Sequence, residues 1–143
     1  MTLQLILASG SSRRRELLDQ IGLEYKVFAA GIDESTLPGE IAADYVCRMA
    51  SAKARCGAQA LSASVPVLGA DTAVVVDGLI LGKPENAPHA VEMLRRLSGR
   101  MHEVLSAVAL LMPGGVETIR LNTSRVTFAT LDADWIEAYC ASP

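Results

Sequence analysis

The sequence predicts an α/β fold, on three observations. Apolar runs of strand length, Leu3 to Ala8 and Val65 to Ala70, alternate with longer stretches whose apolar residues recur at helical spacing. The first run passes through a loop of small residues straight into one of those helical stretches. Asp77-Gly78, set between the apolar runs Ala73 to Val76 and Leu79 to Leu81, is the sequence of a tight hairpin turn. At 143 residues the chain suits a single domain, 1–143, and a chain of that size buries roughly 70% of its unfolded surface.

The opening stretch, Leu3 to Gly22, reads as strand, loop and helix. Leu17, Leu18 and Ile21 fall at helical spacing, and Gly22 is placed to end the helix. Between them lie Ser9-Gly10-Ser11-Ser12 and three arginines, Arg13 to Arg15. Small residues let a backbone approach an anion, the free N–H groups of a helix start point at it, and Arg13 and Arg14 add charge-assisted hydrogen bonds, so phosphate is one ligand for this loop. The plainer reading is that Ser11 or Ser12 caps the helix and the arginines face solvent. Three cations at the positive end of the helix dipole favour the anion. The pattern is neither a P-loop nor a dinucleotide fingerprint.

Glu24 to Ala30 predicts a second strand, which ends in the acidic loop Gly31-Ile32-Asp33-Glu34-Ser35. Its carboxylates serve as turn formers or hold a divalent cation, a hard ion that takes carboxylate oxygens. After Pro38-Gly39 a long helix is expected from about Glu40 to Leu61. Val46, Met49, Ala50 and Lys53 are spaced i, i+3, i+4 and i+7, which puts Lys53 on the apolar stripe. Its ammonium either snorkels to water or reaches a cleft. The strand Val65 to Ala70 is expected to stop at Asp71-Thr72, and a carboxylate at such a strand end is where α/β proteins bind ligands.

After the Asp77-Gly78 hairpin, Gly82-Lys83-Pro84 combines a permissive and a stiff residue and would hold Lys83 in a defined place. Asn86 is placed to cap a helix from about Ala87 to Leu97, with Val91, Leu94 and Leu97 inward and Gly99 as its stop. His89 lies in the exposed first turn of that helix, and neither it nor His102 suggests a role. Strands follow at about His102 to Met112 and Val116 to Phe128, joined through Pro113-Gly114-Gly115. A last helix starts near Asp132 and carries Trp135, Ile136 and Tyr139 as core packing.

Totals exclude several classes of function. A net charge of −3 offers no broad basic field to displace counterions from a polyanion, which argues against nucleic-acid binding. Three cysteines, Cys47, Cys56 and Cys140, match no metal-ligand spacing and suit reduced thiols in the cytoplasm. No stretch reaches the ~20 apolar residues of a membrane span, and the N-terminus lacks a secretory pattern.

The candidates are therefore Glu34 and Asp71, Lys53 and Lys83, and the loop from Ser9 to Arg14. Brought together, they would suit attack of water on a phosphoanhydride: cations spread over phosphate oxygens, carboxylates hold a metal, and one carboxylate deprotonates water. Spacing alone does not bring them together.

Six segments resemble, in order, those of the Maf family of nucleotide pyrophosphatases, named after an effect on septum formation: ASGSSRRRELL (Ala8 to Leu18), AGIDES (Ala30 to Ser35), KAR (Lys53 to Arg55), GADT (Gly69 to Thr72), LGKP (Leu81 to Pro84) and MLRRLSG (Met93 to Gly99). The resemblance implies a Maf/ITPase-like α/β fold, with a long mixed β-sheet, helices packed around it and a cleft between two lobes, usually in a homodimer. It implies hydrolysis of a nucleoside triphosphate to the monophosphate and pyrophosphate, with Mg or Mn. Asp71 is similar to the family's proton acceptor and Glu34 to its acidic partner at metal and water. Lys53 and Lys83 resemble its phosphate-binding lysines, and Ser9, Arg13 and Arg14 its phosphate-binding loop. Thr72 after Asp71 resembles the branch acting on dTTP and UTP, and Arg13 and Thr72 are similar to positions tied to base choice. The implied role is a house-cleaning enzyme for pyrimidine nucleotides, modified ones included; the alternatives are a nucleotide-binding regulator of septum formation and a simple anion-binding module. Two features depart from the family: Ser12 stands where Pro is usual, and family members continue past the position of Pro143 through a segment with a further specificity residue, so the sequence resembles a truncated member.

Overall fold

The computed structural model describes residues 2–142. Both ends of the expected domain, Met1 and Pro143, lie outside the described residues. Ten elements follow one another in the chain: β1 (Leu5–Ala8), α1 (Ser12–Gln20), β2 (Tyr25–Val27), α2 (Ala42–Ala60), β3 (Val67–Val76), β4 (Leu79–Leu81), α3 (Ala87–Leu97), β5 (Met101–Leu111), β6 (Glu117–Thr127) and α4 (Ala133–Ala141). The sheet runs in the order β2-β1-β3-β5-β6, and β4 pairs with β3 off this path. β1 is parallel to both β2 and β3, with Leu7 opposite Val27 and Leu68. β4 is antiparallel to β3, with Val75 opposite Ile80, so the sheet is mixed as expected. Every residue of β1 is buried, as a strand between two parallel neighbours requires, and this is why its sequence is uniformly apolar.

One strand differs from the sequence expectation. β3 does not stop at Asp71-Thr72 but runs on to Val76, ten residues in all. Its partners change along its length: Val67 to Gly69 pair with β1, and Val74 to Val76 with β4. The backbone therefore stays in the ladder through Asp71, which projects from mid-strand.

The chain divides into two compact units. The first is the chain up to Thr72 together with Ser106–Asn122; the second is Ala73–Leu105 together with the chain from Thr123 on. In the first unit, successive residues of β1 and β3 point to opposite faces of the sheet. Leu5 and Leu7 pack with Leu18 of α1 on one face, joined by Leu23, Tyr25, Leu68 and Leu110. The other face, with Ala8, Val67 and Gly69, receives α2 at very short range. A Cβ on Gly69 would lie 2.1 Å from Ala50 O and 2.7 Å from Ala54 N, and one on Gly57 would lie 3.2 Å from Ala8 Cβ. Ala50 and Ala54 are wholly buried there. Small residues on both sides let backbone rest on backbone.

In the second unit, Asn86 Oδ1 caps α3 by accepting from His89 N at 2.8 Å, as the sequence predicts. Val91, Leu97 and Ile136 are buried, and His102 is buried edge-on to Phe128 at 4.9 Å between ring centroids. Trp135 and Tyr139 are not core residues. They are 49% and 60% exposed and stack on each other at 5.1 Å. A nine-residue helix turns one narrow face inward, and Ile136 occupies it, which leaves the i, i+4 aromatic pair outside. No helix among the described residues is long and apolar enough to cross a membrane.

Gly69→Ala tests the close approach. The added methyl meets the α2 backbone, which has no flexible end to swing away. The expected loss lies at or above the upper end of the roughly 1–3 kcal/mol typical of overpacking, read as a lowered denaturation midpoint. A midpoint equal to wild type would refute the contact.

Candidate active site

The site is built within the first unit, from three elements and two loops. α2 brings Lys53, the residue on the apolar stripe two turns after Val46. Its side chain is only 14% exposed and its ammonium does not snorkel to water. Instead Nζ lies 3.2 Å from Asp71 Oδ1 and 3.2 Å from Glu34 Oε1. β3 supplies Asp71, which is buried; the loop after β2 supplies Glu34, whose side chain is half exposed. Asp71 lies two residues beyond Gly69, so it follows the face on which α2 rests, and the close approach brings Lys53 within reach.

Next to this ionic cluster lies the loop after β1. Ser9 is buried, and its Oγ accepts from Ser11 N at 3.2 Å and from Arg14 Nη1 at 3.0 Å. Ser11 caps α1, its Oγ accepting from Arg14 N at 3.4 Å. The cap and the arginine are thus both present, and the two sequence readings of this loop are compatible. Arg14 also donates from Nη2 to Thr72 Oγ1 at 3.2 Å, and Thr72 Oγ1 lies 3.2 Å from Ser106 Oγ. Burial lowers the affinity of the Arg14 guanidinium for its proton, and the nearby Asp71 charge opposes that shift. Arg13 is exposed and makes no hydrogen bond or ion pair among the described residues.

A cavity of about 540 Å³ opens here. Arg13, Arg14, Asp71, Thr72 and Ser106 line its polar side, and Leu7, Leu17, Leu18, Leu68 and Ala70 its apolar side. Such a cavity can hold a flat apolar-faced group at one side and an anion at the other.

The structure thus brings together Ser9, Arg14, Glu34, Lys53, Asp71 and Thr72, with Arg13 at the cavity wall. Lys83 belongs to the second unit, in the loop after β4. It is exposed and makes no hydrogen bond or ion pair among the described residues. For a divalent cation the chain presents two carboxylates about one ammonium, and no cluster of three or more His, Cys, Asp or Glu side chains occurs among the described residues. Two carboxylates fit magnesium, which takes one or two from protein and completes its shell with water and phosphate oxygens.

Two hydroxyls were not singled out from the sequence. Ser106 is the one polar residue in the run Val104 to Leu111 of β5. Tyr45 lies on the α2 stripe that holds Val46, Met49 and Lys53, and its Oη donates to Glu34 O at 2.6 Å. Burial, then the charges of Asp71 and Glu34, raise its phenol above the ordinary range. The available signal was the hydroxyl itself: a buried one needs a partner.

The sequence profile of the Maf-like protein family matches residues 4–143. A dTTP/UTP pyrophosphatase of Methylococcus capsulatus is 51% identical over 140 residues, covering 98% of this chain and 69% of the relative. One from Escherichia coli is 46% identical over 138 residues, covering 96% of this chain and 70% of the relative. Among solved structures, the Ham1 protein of Staphylococcus aureus superposes with a TM-score of 0.59 at 15% identity, over 85% of this chain and 70% of that one. A nucleoside-triphosphatase / dITP/XTP pyrophosphatase of Mycobacterium abscessus gives 0.57 at 18% identity, over 90% and 75%. These two share the fold. The family profile and the sequence relatives go further, and on them this chain belongs to the Maf-like protein family.

Proposed function

We propose that this chain is a single-domain nucleoside triphosphate pyrophosphatase that hydrolyses dTTP and UTP to the monophosphate and pyrophosphate. The observation that carries the reading is Lys53 held between Asp71 and Glu34 at 3.2 Å from each, beside the Ser9–Arg14 loop and its cavity. The names of the relatives supply the substrate class.

In this reading the triphosphate lies along Ser9, Arg13, Arg14 and Lys53, and Lys83 grips phosphate from the loop after β4. Lys53 then exchanges part of its pairing with carboxylates for phosphate oxygens. Glu34 and Asp71 hold a divalent cation, which supplies charge neutralisation on the phosphates when bound. Asp71 takes a proton from the attacking water; the bond at the α–β bridge breaks, and monophosphate and pyrophosphate depart. The base occupies the cavity, where Arg13 and the Thr72 hydroxyl donate to pyrimidine carbonyl oxygens. The enzyme works in the cytoplasm as a homodimer on free nucleotides, with no nucleic-acid or membrane partner.

Pyrophosphate release from dTTP, UTP, CTP, GTP and 7-methyl-GTP with Mg or Mn tests the reading. Release from dTTP and UTP is expected, and a chelator should abolish it while nucleotide still binds to the arginine loop. Binding of nucleotide without any release would favour the septum-formation regulator. Asp71→Asn should leave nucleotide affinity within a few fold and lower turnover by about a hundred-fold or more, the lower end of the range for a lost general base; equal losses of both would assign Asp71 to metal holding alone. Lys83→Ala should raise KM with kcat little changed, and an unchanged KM would remove Lys83 from the site.

A further inference from the structure

Glu34 stands on a loop with no regular structure, yet two consecutive carbonyls of that loop are held from α2. Tyr45 Oη donates to Glu34 O at 2.6 Å, and Arg48 Nη2 donates to Ser35 O at 2.9 Å. The two side chains support each other, the Arg48 guanidinium lying 5.7 Å from the Tyr45 ring centroid. Arg48 is in turn fixed by Glu40 through a two-pronged pair, Nε to Oε2 at 2.7 Å and Nη2 to Oε1 at 2.8 Å. Glu40 Oε1 also accepts from Leu37 N at 3.1 Å, which ties down the far side of the loop. Within the loop, Asp33 Oδ1 accepts from Ser35 N at 3.0 Å.

We propose that Tyr45 and Arg48 are positioning residues that set the place of the Glu34 carboxylate against Lys53 and so govern the grip of the site on a divalent cation. The proposal rests on the pyrophosphatase reading, in which Glu34 is a metal ligand. All of the parts that fix Glu34 come from α2 and the loop itself, and α2 also carries Lys53. Helix and loop therefore move as one piece, and the carboxylate keeps its distance from the ammonium although it is half exposed. The clamp holds its charge state across ordinary pH. Arg48 holds the Glu40 carboxyl down at about 2. A staple that only stabilised the fold would have no reason to end on the carbonyls beside the one loop carboxylate that reaches Lys53.

The test uses the full chain, with Mn²⁺ alone followed by paramagnetic resonance, and then with dTTP. Arg48→Ala is expected to weaken Mn²⁺ binding and lower kcat by about ten-fold each, the lower range for loss of an outer partner of a metal ligand, with the dTTP KM within about two-fold. Arg48→Lys should recover part of both, because it keeps the charge without the fork. Tyr45→Phe removes one hydroxyl and should shift both in the same direction. In a Glu34→Gln background, Arg48→Ala should change Mn²⁺ affinity and kcat by less than about two-fold, since the two substitutions then remove the same thing. Equal losses with and without Glu34, or wild-type Mn²⁺ affinity in both Tyr45→Phe and Arg48→Ala, would overturn the proposal. If Arg48→Ala fails to fold, Tyr45→Phe in both backgrounds decides by the same criterion. Wild-type protein that binds Mn²⁺ and releases no pyrophosphate would overturn the pyrophosphatase reading instead, and the Mn²⁺ affinities would still judge the clamp.

Discussion

The backbone of α2 lies on β3 at Gly69, where any side chain would collide with Ala50 O, and much of the first unit follows from that contact. A helix that close needs alanine or glycine at each point of contact, and Ala50, Ala54 and Gly57 supply them at i, i+4 and i+7. Lys53 lies within this stripe, so its stem is buried by packing and its ammonium has few places to go. Asp71 is two residues along the strand from the glycine, on the face that α2 covers. An expensive arrangement, a largely buried lysine beside a buried carboxylate, is thereby held in place by apolar contacts that carry no charge themselves.

Hydroxyl groups do the corresponding work on the loop after β1. A guanidinium that is half withdrawn from water would be costly if unpaired, and Ser9 and Thr72 each accept one of its hydrogen bonds. Arg14 is therefore held in one orientation by the fold itself, whereas Arg13 is exposed. A side chain fixed in this way has less freedom left to lose in any contact it makes.

Much of this was legible in the sequence, because much of it depends on local pattern. The Ser9 to Gly22 stretch, the Asn86 cap and the Asp77-Gly78 hairpin were readable from a few neighbouring residues each. What was not readable depended on partners distant in the chain. The end of β3 was misplaced because its apolar pattern breaks at Asp71-Thr72 while its ladder, taken up by β4, does not. Trp135 and Tyr139 carry apolar surface at helical spacing, and nothing local says that Ile136 alone fills the inward face. Tyr45 and Arg48 carry no local signal of their contacts with the loop of Glu34, which appear only once that loop is folded back onto α2.

Asp71 and Thr72 are neighbours in one strand, and a strand sends neighbours to opposite sides of its sheet. Asp71 meets Lys53 on the side of α2, whereas Thr72 meets Arg14 and Ser106 on the side of α1. The dipeptide thus works as a two-sided part, with ionic chemistry on one side and hydroxyl recognition on the other. Such a part allows the residue at 72 to change while the carboxylate and its lysine stay as they are. It also makes the register of β3 against β1 a condition of that arrangement, since a slip of one residue would exchange the two sides.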